Sequence, residues 1–537
     1  MRRRSILTSC ITAVSLVVAG ALAATPSASA AGPPKVIGKY HHLVVIYEEN
    51  HSFDNLYGLW GPVQGESVDG LSTADPAHTL QVAQDGTAYG CLLQNDVNLK
   101  SPPLPNTCQD SAHKVPASDF VNSPFRIDDF IAADDRTCPP PGVFAANGVL
   151  KDSPGSLPGG CTRDLVHRFY QEQYQLDGGK QDRYVTGSDA VGLTMGYYDT
   201  TALPVWKYLH APGAPKYVIA DHFFQAAFGG SFLNHQYLVA ARAPVDTAAA
   251  PGGADAGLHS IVDGNGFPNA TYPLYTPTGP VKDAQLTQAC GPDANPAVAC
   301  GDLAVNTIQP SNPPFGGGAK LPLIDDTVYP NIGDRLSAAG VSWAWYAGGW
   351  NNAAAGHPDP LFQYHHQPLN YFAAYAPGQP GRAHLRDETE FIAAAQAGAL
   401  PTVSFVKPYG AENEHPGYAS VSSGSKHLVD LLNAIENGPQ AGDTLVVVTY
   451  DEFGGQWDHV SPPGQGAAGV HDQFGPGTRI PALIVSRSLP RSGVDHTVYD
   501  TTSILATIEH GLDLAPVATR DAQVADLTGV LRAAGVR

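Results

Sequence analysis

Two short apolar runs in this chain stop abruptly at acids. LVVIY (Leu43–Tyr47) runs straight into Glu48, Glu49, Asn50 and His51, and TLVVVTY (Thr444–Tyr450) runs into Asp451 and Glu452. Both runs are β-branched and aromatic with no apolar/polar alternation, which is the pattern of a strand covered on both faces. KYVIA (Lys216–Ala220), VSWAWY (Val341–Tyr346), TVSFV (Thr402–Val406) and PALIVS (Pro481–Ser486) read the same way. Helical patterns lie between them. Leu428, Leu431, Leu432 and Ile435 fall at i, i+3, i+4, i+7 before the stop at Gly438 and Pro439, and Ile504, Leu505 and Ile508 form a second stripe before Gly511. Alternating strand and helix predict an α/β sandwich around a mainly parallel sheet.

Two regions break this rhythm. Residues 61–160 and 243–320 are rich in Pro, Gly, Ala and Asp, and read as loop-rich insertions. They hold cysteines: of the six beyond the N-terminal segment, Cys91, Cys108, Cys138, Cys161 and Cys290 with Cys300 stand in sequence order as three neighbouring pairs. An even count in an exported chain predicts disulfides, though six cysteines admit 15 pairings. Export is predicted by residues 1–30: MRRRSILTSC is basic, Ile11–Ala24 is a short apolar stretch, and SASA ends in an A-x-A cleavage pattern. This leaves residues 31–537 as the folded unit and places it outside the cell or in a periplasm. Loss of a leader with three arginines and no acids takes the net charge of −20 further negative. Such a chain repels nucleic acid and anionic membranes, and the short apolar stretch does not predict stable membrane insertion. Any phosphate it handles has to meet a local positive centre.

Ligands gather beyond the carboxyl ends of strands in open α/β sheets. Glu48, Glu49 and Asn50 at one strand tip and Asp451 and Glu452 at another form a hard oxygen set suited to one divalent cation. Ser231 in AFGGSFLNHQYL follows two glycines and opens a predicted helix, the setting for a nucleophile beside an anion site. Leu233 stands where a G-x-S-x-G elbow needs its last glycine, which argues against an α/β-hydrolase esterase. His167, His235, His365, His366, His415 and His459 lie in polar or Gly/Pro-rich surroundings and are candidates for holding phosphate or protonating a leaving oxygen. Rings near their ordinary pKa of about 6.5 would do this best as imidazolium, predicting activity on the acid side of neutrality. Neither an HExxH motif nor a P-loop occurs.

Taken together, EENHSFDNLYG, HRFYQEQYQLDGGKQD, ADHFFQAAFGGSFLNHQYL, FQYHHQPLNYF, EHPGYASVSSG and TYDEFGGQWDHVSPP resemble a phosphoesterase family. That family joins bacterial phospholipases C with acid phosphatases of the respiratory-burst-inhibiting type. The resemblance spans residues 40 to about 510 in the family's order. It implies an alkaline-phosphatase-like α/β/α sandwich and hydrolysis of phosphate esters. It implies metal ligands at Glu49, Asn50, Asp451 and Glu452, with the nucleophile Ser231 also touching the metal, and catalytic histidines at His167, His366 and His415. His365, His235 and His459 are the substrate-binding candidates. The serine followed by Asn-His in GGSFLNH, and YHHQPLNYF, resemble the phosphatase branch more than the phospholipase branch. The leading expectation is a secreted, metal-dependent acid phosphatase acting on monoesters. A phospholipase C acting on diesters such as phosphatidylcholine is the alternative, and an exported binding protein on the same fold is the non-enzymatic one.

Overall fold

The strand at Leu43–Tyr47 forms where its composition demands and lies near the middle of the main sheet. It is β1 (His42–Glu48), and its apolar side chains are fully buried. The computed structural model describes residues 34–93, 107–129, 133, 164–188, 190–244, 323–359, 361–417 and 419–536. Within them an eight-stranded sheet is built from β1, β2 (Lys216–Ala220), β3 (Trp343–Ala347), β4 (Leu385–Asp387), β5 (Val403–Lys407), β6 (Thr444–Tyr450), β7 (Ala482–Ser486) and β8 (Gly493–Asp495). Its spatial order is β8-β2-β7-β6-β1-β5-β3-β4. Every pairing is parallel except the two made by β7, which runs antiparallel to β6 and β2. β1, β3, β5, β6 and β7 are almost wholly buried along their length, as strands covered on both faces must be. Each buried Val or Ile there contributes about 1.5–3 kcal/mol of apolar burial.

The predicted helices are present. The Leu428–Ile435 stripe belongs to a 16-residue helix, Val421–Glu436, whose N-cap Ser420 accepts from the Ser423 N–H. The second stripe lies on Ser503–Leu512. Three further helices carry or flank the site: α1 (Phe53–Tyr57), α2 (Phe169–Leu176) and α3 (Ser231–Ala240). The short strands β4 and β8 have too few apolar residues to stand out in the sequence. In the described part of the first insertion, Cys91 and Cys108 form a disulfide with Cα atoms 6.0 Å apart. Cys138, Cys161, Cys290 and Cys300 lie outside the described residues, as do residues 1–33. Among the described residues no helix is long and apolar enough to cross a membrane.

Candidate active site

β1 and β6 are adjacent and parallel, with Glu48 level with Tyr450. The residues that follow each strand therefore leave the sheet side by side. Asn50 turns back in the left-handed region (φ 57°), a conformation that Asn tolerates, and its N–H donates to Asp451 Oδ1 at 3.2 Å. The Glu452 N–H donates to the same oxygen at 2.9 Å. Gly454 (φ 62°) brings the 451–454 turn against Asn50 so closely that a Cβ would lie 2.3 Å from the Asn50 carbonyl, so only glycine serves there. Its N–H donates to Glu452 Oε2 at 2.5 Å.

Two histidines orient the Asn50 amide. The His167 Nδ1 lies 2.5 Å from the Leu165 carbonyl and the His415 Nδ1 2.7 Å from the Pro416 carbonyl, so both rings carry their proton on Nδ1. Each then offers an unprotonated Nε2 to the Asn50 NH₂, at 3.4 and 3.2 Å. The amide oxygen is turned the other way. Asn50 Oδ1 and Asp451 Oδ2 are both buried and have no hydrogen-bond partner. Buried oxygens left unpaired cost about 1–3 kcal/mol each, so both are suited to a group that would satisfy them. With the Glu49 and Glu452 carboxylates they make an all-oxygen donor set that suits a hard divalent ion. A ring nitrogen each of His235 and His366 also lies within 4.8 Å of a Glu49 oxygen and of one another.

Ser231 reaches this centre through a clamped turn. Gly229 (φ 83°) passes so close to α2 that a Cβ would lie 2.6 Å from the Phe169 N. Its N–H donates to Glu172 Oε2 at 2.5 Å, and Glu172 also accepts from the Thr478 N–H (2.7 Å) and from Gln225 (2.9 Å). The Gln225 amide oxygen in turn accepts from the Phe453 N–H at 2.9 Å. Glu172 and Gln225 thus lock the segment carrying His167, the Gly-Gly turn and the 451–454 turn to one another. Asn234 closes the other side by accepting from the Ala227 N–H at 2.9 Å. Ser231 opens α3 with its Oγ 3.4 Å from Glu452 Oε1 and 5% of its surface exposed.

The charge balance depends on Lys407, at the end of β5. It is buried, with Nζ 2.6 Å from Glu49 Oε1 and 3.0 Å from the Glu48 carbonyl. His366 Nε2 is also 2.6 Å from Glu49 Oε1. Burial pushes the Glu49 carboxyl up, but Lys407 and His366 outweigh it and hold the group well below its ordinary range. Asp451 is pushed up to about 7 by burial and by Glu49, and burial with Asp451 raises Glu452 well above its usual range. Glu49 is therefore already ionised, and Asp451 and Glu452 would release their protons to a cation placed among the three.

The structure brings Glu49, Asn50, Asp451, Glu452, Ser231, His167, His235, His365, His366 and His415 together. His235 Nδ1 contacts the Ser231 carbonyl at 2.7 Å and lies 3.8 Å from Asp451 Oδ2, while its ring stacks on His366 and meets His365 edge-on. His459 does not join them, contrary to expectation. Both of its ring nitrogens are taken up elsewhere, by Asp54 at 2.6 Å and Asp69 at 3.2 Å. The imidazolium expectation also changes. Burial lowers His167 to about 3 and His415 to about 4, and lowers His235, His365 and His366 as well. Pattern reading missed Lys407, Glu172 and Gln225. The lysine ending an apolar strand run in TVSFVK is the one signal that could have marked the first.

The phosphoesterase family model matches residues 145–515, more than half of the sequence. The chain belongs to the phosphoesterase family. It is a hydrolase acting on phosphoric ester bonds. The matched segment carries His167, Ser231, the His365–His366 pair, His415 and the Asp451–Glu452 turn, while Glu49 and Asn50 lie N-terminal to it. This phosphoesterase is similar to phospholipase C B of Mycobacterium tuberculosis, at 24% identity over 93% of this chain and 79% of that protein. A non-hemolytic phospholipase C of Burkholderia pseudomallei is 30% identical over 34% of this chain and 29% of its own. A solved member of the alkaline phosphatase superfamily from Vibrio parahaemolyticus covers 63% of this chain and 66% of its own, at 11% identity and a TM-score of 0.30.

Proposed function

We propose that this phosphoesterase hydrolyses phosphate monoesters through a phosphoserine at Ser231. The observation that carries this reading is the set of buried ring nitrogens without partners in the cluster around Ser231. His235 donates through Nδ1 to the Ser231 carbonyl, so its buried Nε2 is an acceptor without a partner. Neither ring nitrogen of His365 has one either. Neutral acceptors beside an anion site favour a substrate that brings its own proton. A monoester monoanion does so through P–OH below its second pKa of about 6, and a diester has no such proton.

Glu49, Asn50, Asp451 and Glu452 would hold a divalent ion, with Ser231 beside it. When bound, it supplies Lewis-acid polarisation of a phosphoryl oxygen and lowers the pKa of the serine hydroxyl. Ser231 releases its hydroxyl proton to solvent and its Oγ attacks phosphorus, the bond to the ester oxygen breaks, and the phosphate is carried on the serine. The proton that entered on the phosphate passes by way of His235 or His365 to the departing alkoxide. Water then attacks the phosphoserine and restores the hydroxyl. His167 and His415 act by fixing Asn50, and Lys407 by fixing Glu49.

A second reading, diester hydrolysis, is favoured by the relatives, which are named phospholipases C. Release of p-nitrophenol from p-nitrophenyl phosphate and from p-nitrophenylphosphorylcholine, with and without chelator, separates the two. The monoester reading expects the phosphate to be the better substrate, with kcat/KM falling above pH about 6 as the substrate loses its second proton. Preference for the phosphorylcholine diester, with a rate indifferent to that ionisation, overturns it.

A further inference from the structure

A second set of carboxylate and imidazole lies at the same edge of the sheet. Asp221 and His222 directly follow β2, and His496 directly follows β8. The two strands are parallel neighbours, with Asp495 level with Ala220. The three residues therefore leave the carboxyl edge side by side, as Asn50 and Asp451 do farther along it.

Their atoms converge. His222 Nδ1 lies 3.1 Å from Asp221 Oδ1, and His496 Nδ1 lies 2.9 Å from the same oxygen and 3.0 Å from Oδ2. One ligand atom from each of the three falls within 4.8 Å of the others. A tetrahedral ion with ligands at about 2.0–2.1 Å has ligand–ligand edges of about 3.3 Å, so a small outward shift of the rings admits one. The His496 side chain is 58% exposed and free to make it, and it leaves the fourth position open to solvent.

An outer layer is already in place. His222 turns its other nitrogen, Nε2, to Asp69 Oδ2 at 3.2 Å, the carboxylate–histidine arrangement that orients metal-bound imidazoles. The Asp69 N–H donates to Asp221 Oδ2 at 2.7 Å and fixes the ligating carboxylate. The positive charge facing these carboxylates comes from imidazoles, whose protons a metal ion can replace. Arg479 pairs with Asp54 and Asp458 but reaches Asp69 and Asp221 only through their backbone carbonyls. Among the described residues neither the Asp69 nor the Asp221 carboxylate pairs with a lysine or arginine; their ion-pair partners are imidazoles, His222 for both, His496 for Asp221 and His459 for Asp69.

We infer that Asp221, His222 and His496 form a second divalent-metal site, of zinc type in its mixed N/O ligands, separate from the Glu49–Asp451 centre. The test is the metal stoichiometry of the whole chain, stripped with chelator, reloaded with Zn²⁺ and measured by elemental analysis and calorimetry. Wild type should take up two ions and His496→Ala one, while Asp451→Asn keeps the Asp221 ion. Asp69→Asn, which retains all three ligands, should weaken the second ion about 10–100-fold. Equal uptake by wild type and His496→Ala overturns the inference, whether the shared number is one or two, and so does unchanged affinity in Asp69→Asn.

Discussion

The candidate active site and the Asp54–Asp69–His459–Arg479 cluster are both buried meetings of imidazole and carboxylate, yet burial leaves their rings in opposite states. In the pocket every ring is driven below its ordinary pKa, His167 to about 3 and His415 to about 4. In the cluster burial also lowers His459, but the Asp54 and Asp69 carboxylates outweigh it and hold the ring up at about 9. The difference lies in where the hydrogen bonds go. His459 is bonded to a carboxylate through each nitrogen. His167 and His415 bond through Nδ1 to backbone carbonyls, while Lys407 neutralises Glu49 nearby. The candidate site thus keeps the neutral rings and free carboxylate oxygens that the proposed substrate and cation would use. The cluster spends both on itself and gains structure.

The largest expected effect tests the pocket. Ser231→Ala should lower kcat by about 10³-fold or more, measured as steady-state turnover, with the melting temperature moved by no more than about 2 °C. The hydrogen bond of the serine hydroxyl to Glu452 is long, at 3.4 Å, so little folding energy rests on it.

Next come the two buried cations. Arg479→Met strands Asp54 and Asp458, and Lys407→Met strands Glu49. Each should cost about 3–5 kcal/mol in urea unfolding of the chelator-treated protein. Added divalent ion should restore more of the loss in Lys407→Met than in Arg479→Met. Equal recovery in both would erase the distinction between a site and a scaffold.

A smaller effect follows from proton linkage. The His459 ring, faced by Asp54, Asp69 and Arg479, titrates at about 9 when folded against about 6.5 when unfolded. Its contribution is therefore fully present below pH about 6.5 and is lost as pH rises through 9, a change of about 3 kcal/mol. Stability of the chelated protein should fall across that window, and His459→Gln should flatten the fall. A slope that His459→Gln leaves unchanged would mean that the ring is neutral, like those of the pocket.

The smallest effect on folding is expected at His365, whose two nitrogens are buried without partners. His365→Phe should leave the unfolding midpoint unchanged or slightly raised, because an unpaired buried polar group is replaced by an apolar one. Activity should nonetheless fall at least about 10-fold. Loss of stability with activity intact would make the ring a core residue.

Much of this was legible in the chain alone. Unalternating runs such as TLVVVTY determine a strand buried on both faces, because no other element hides so many consecutive β-branched side chains at that length. Acids placed directly after two such runs determine that hard ligands stand at the sheet's carboxyl edge, and GGSFLNH determines a serine at a helix start. Tertiary structure decided everything that depends on which neighbour a polar atom meets. His459 and His415 look alike in sequence, in WDHVSPP and EHPGY, yet one is held by two carboxylates and the other by a backbone carbonyl. Lys407 reads as the end of a strand, and only the pairing of β5 with β1 sets it against Glu49. Periodicity reports which side chains avoid water, since burial is a property of local pattern. Protonation and ligation are set by partners within about 3 Å, contributed here by segments up to some four hundred residues away.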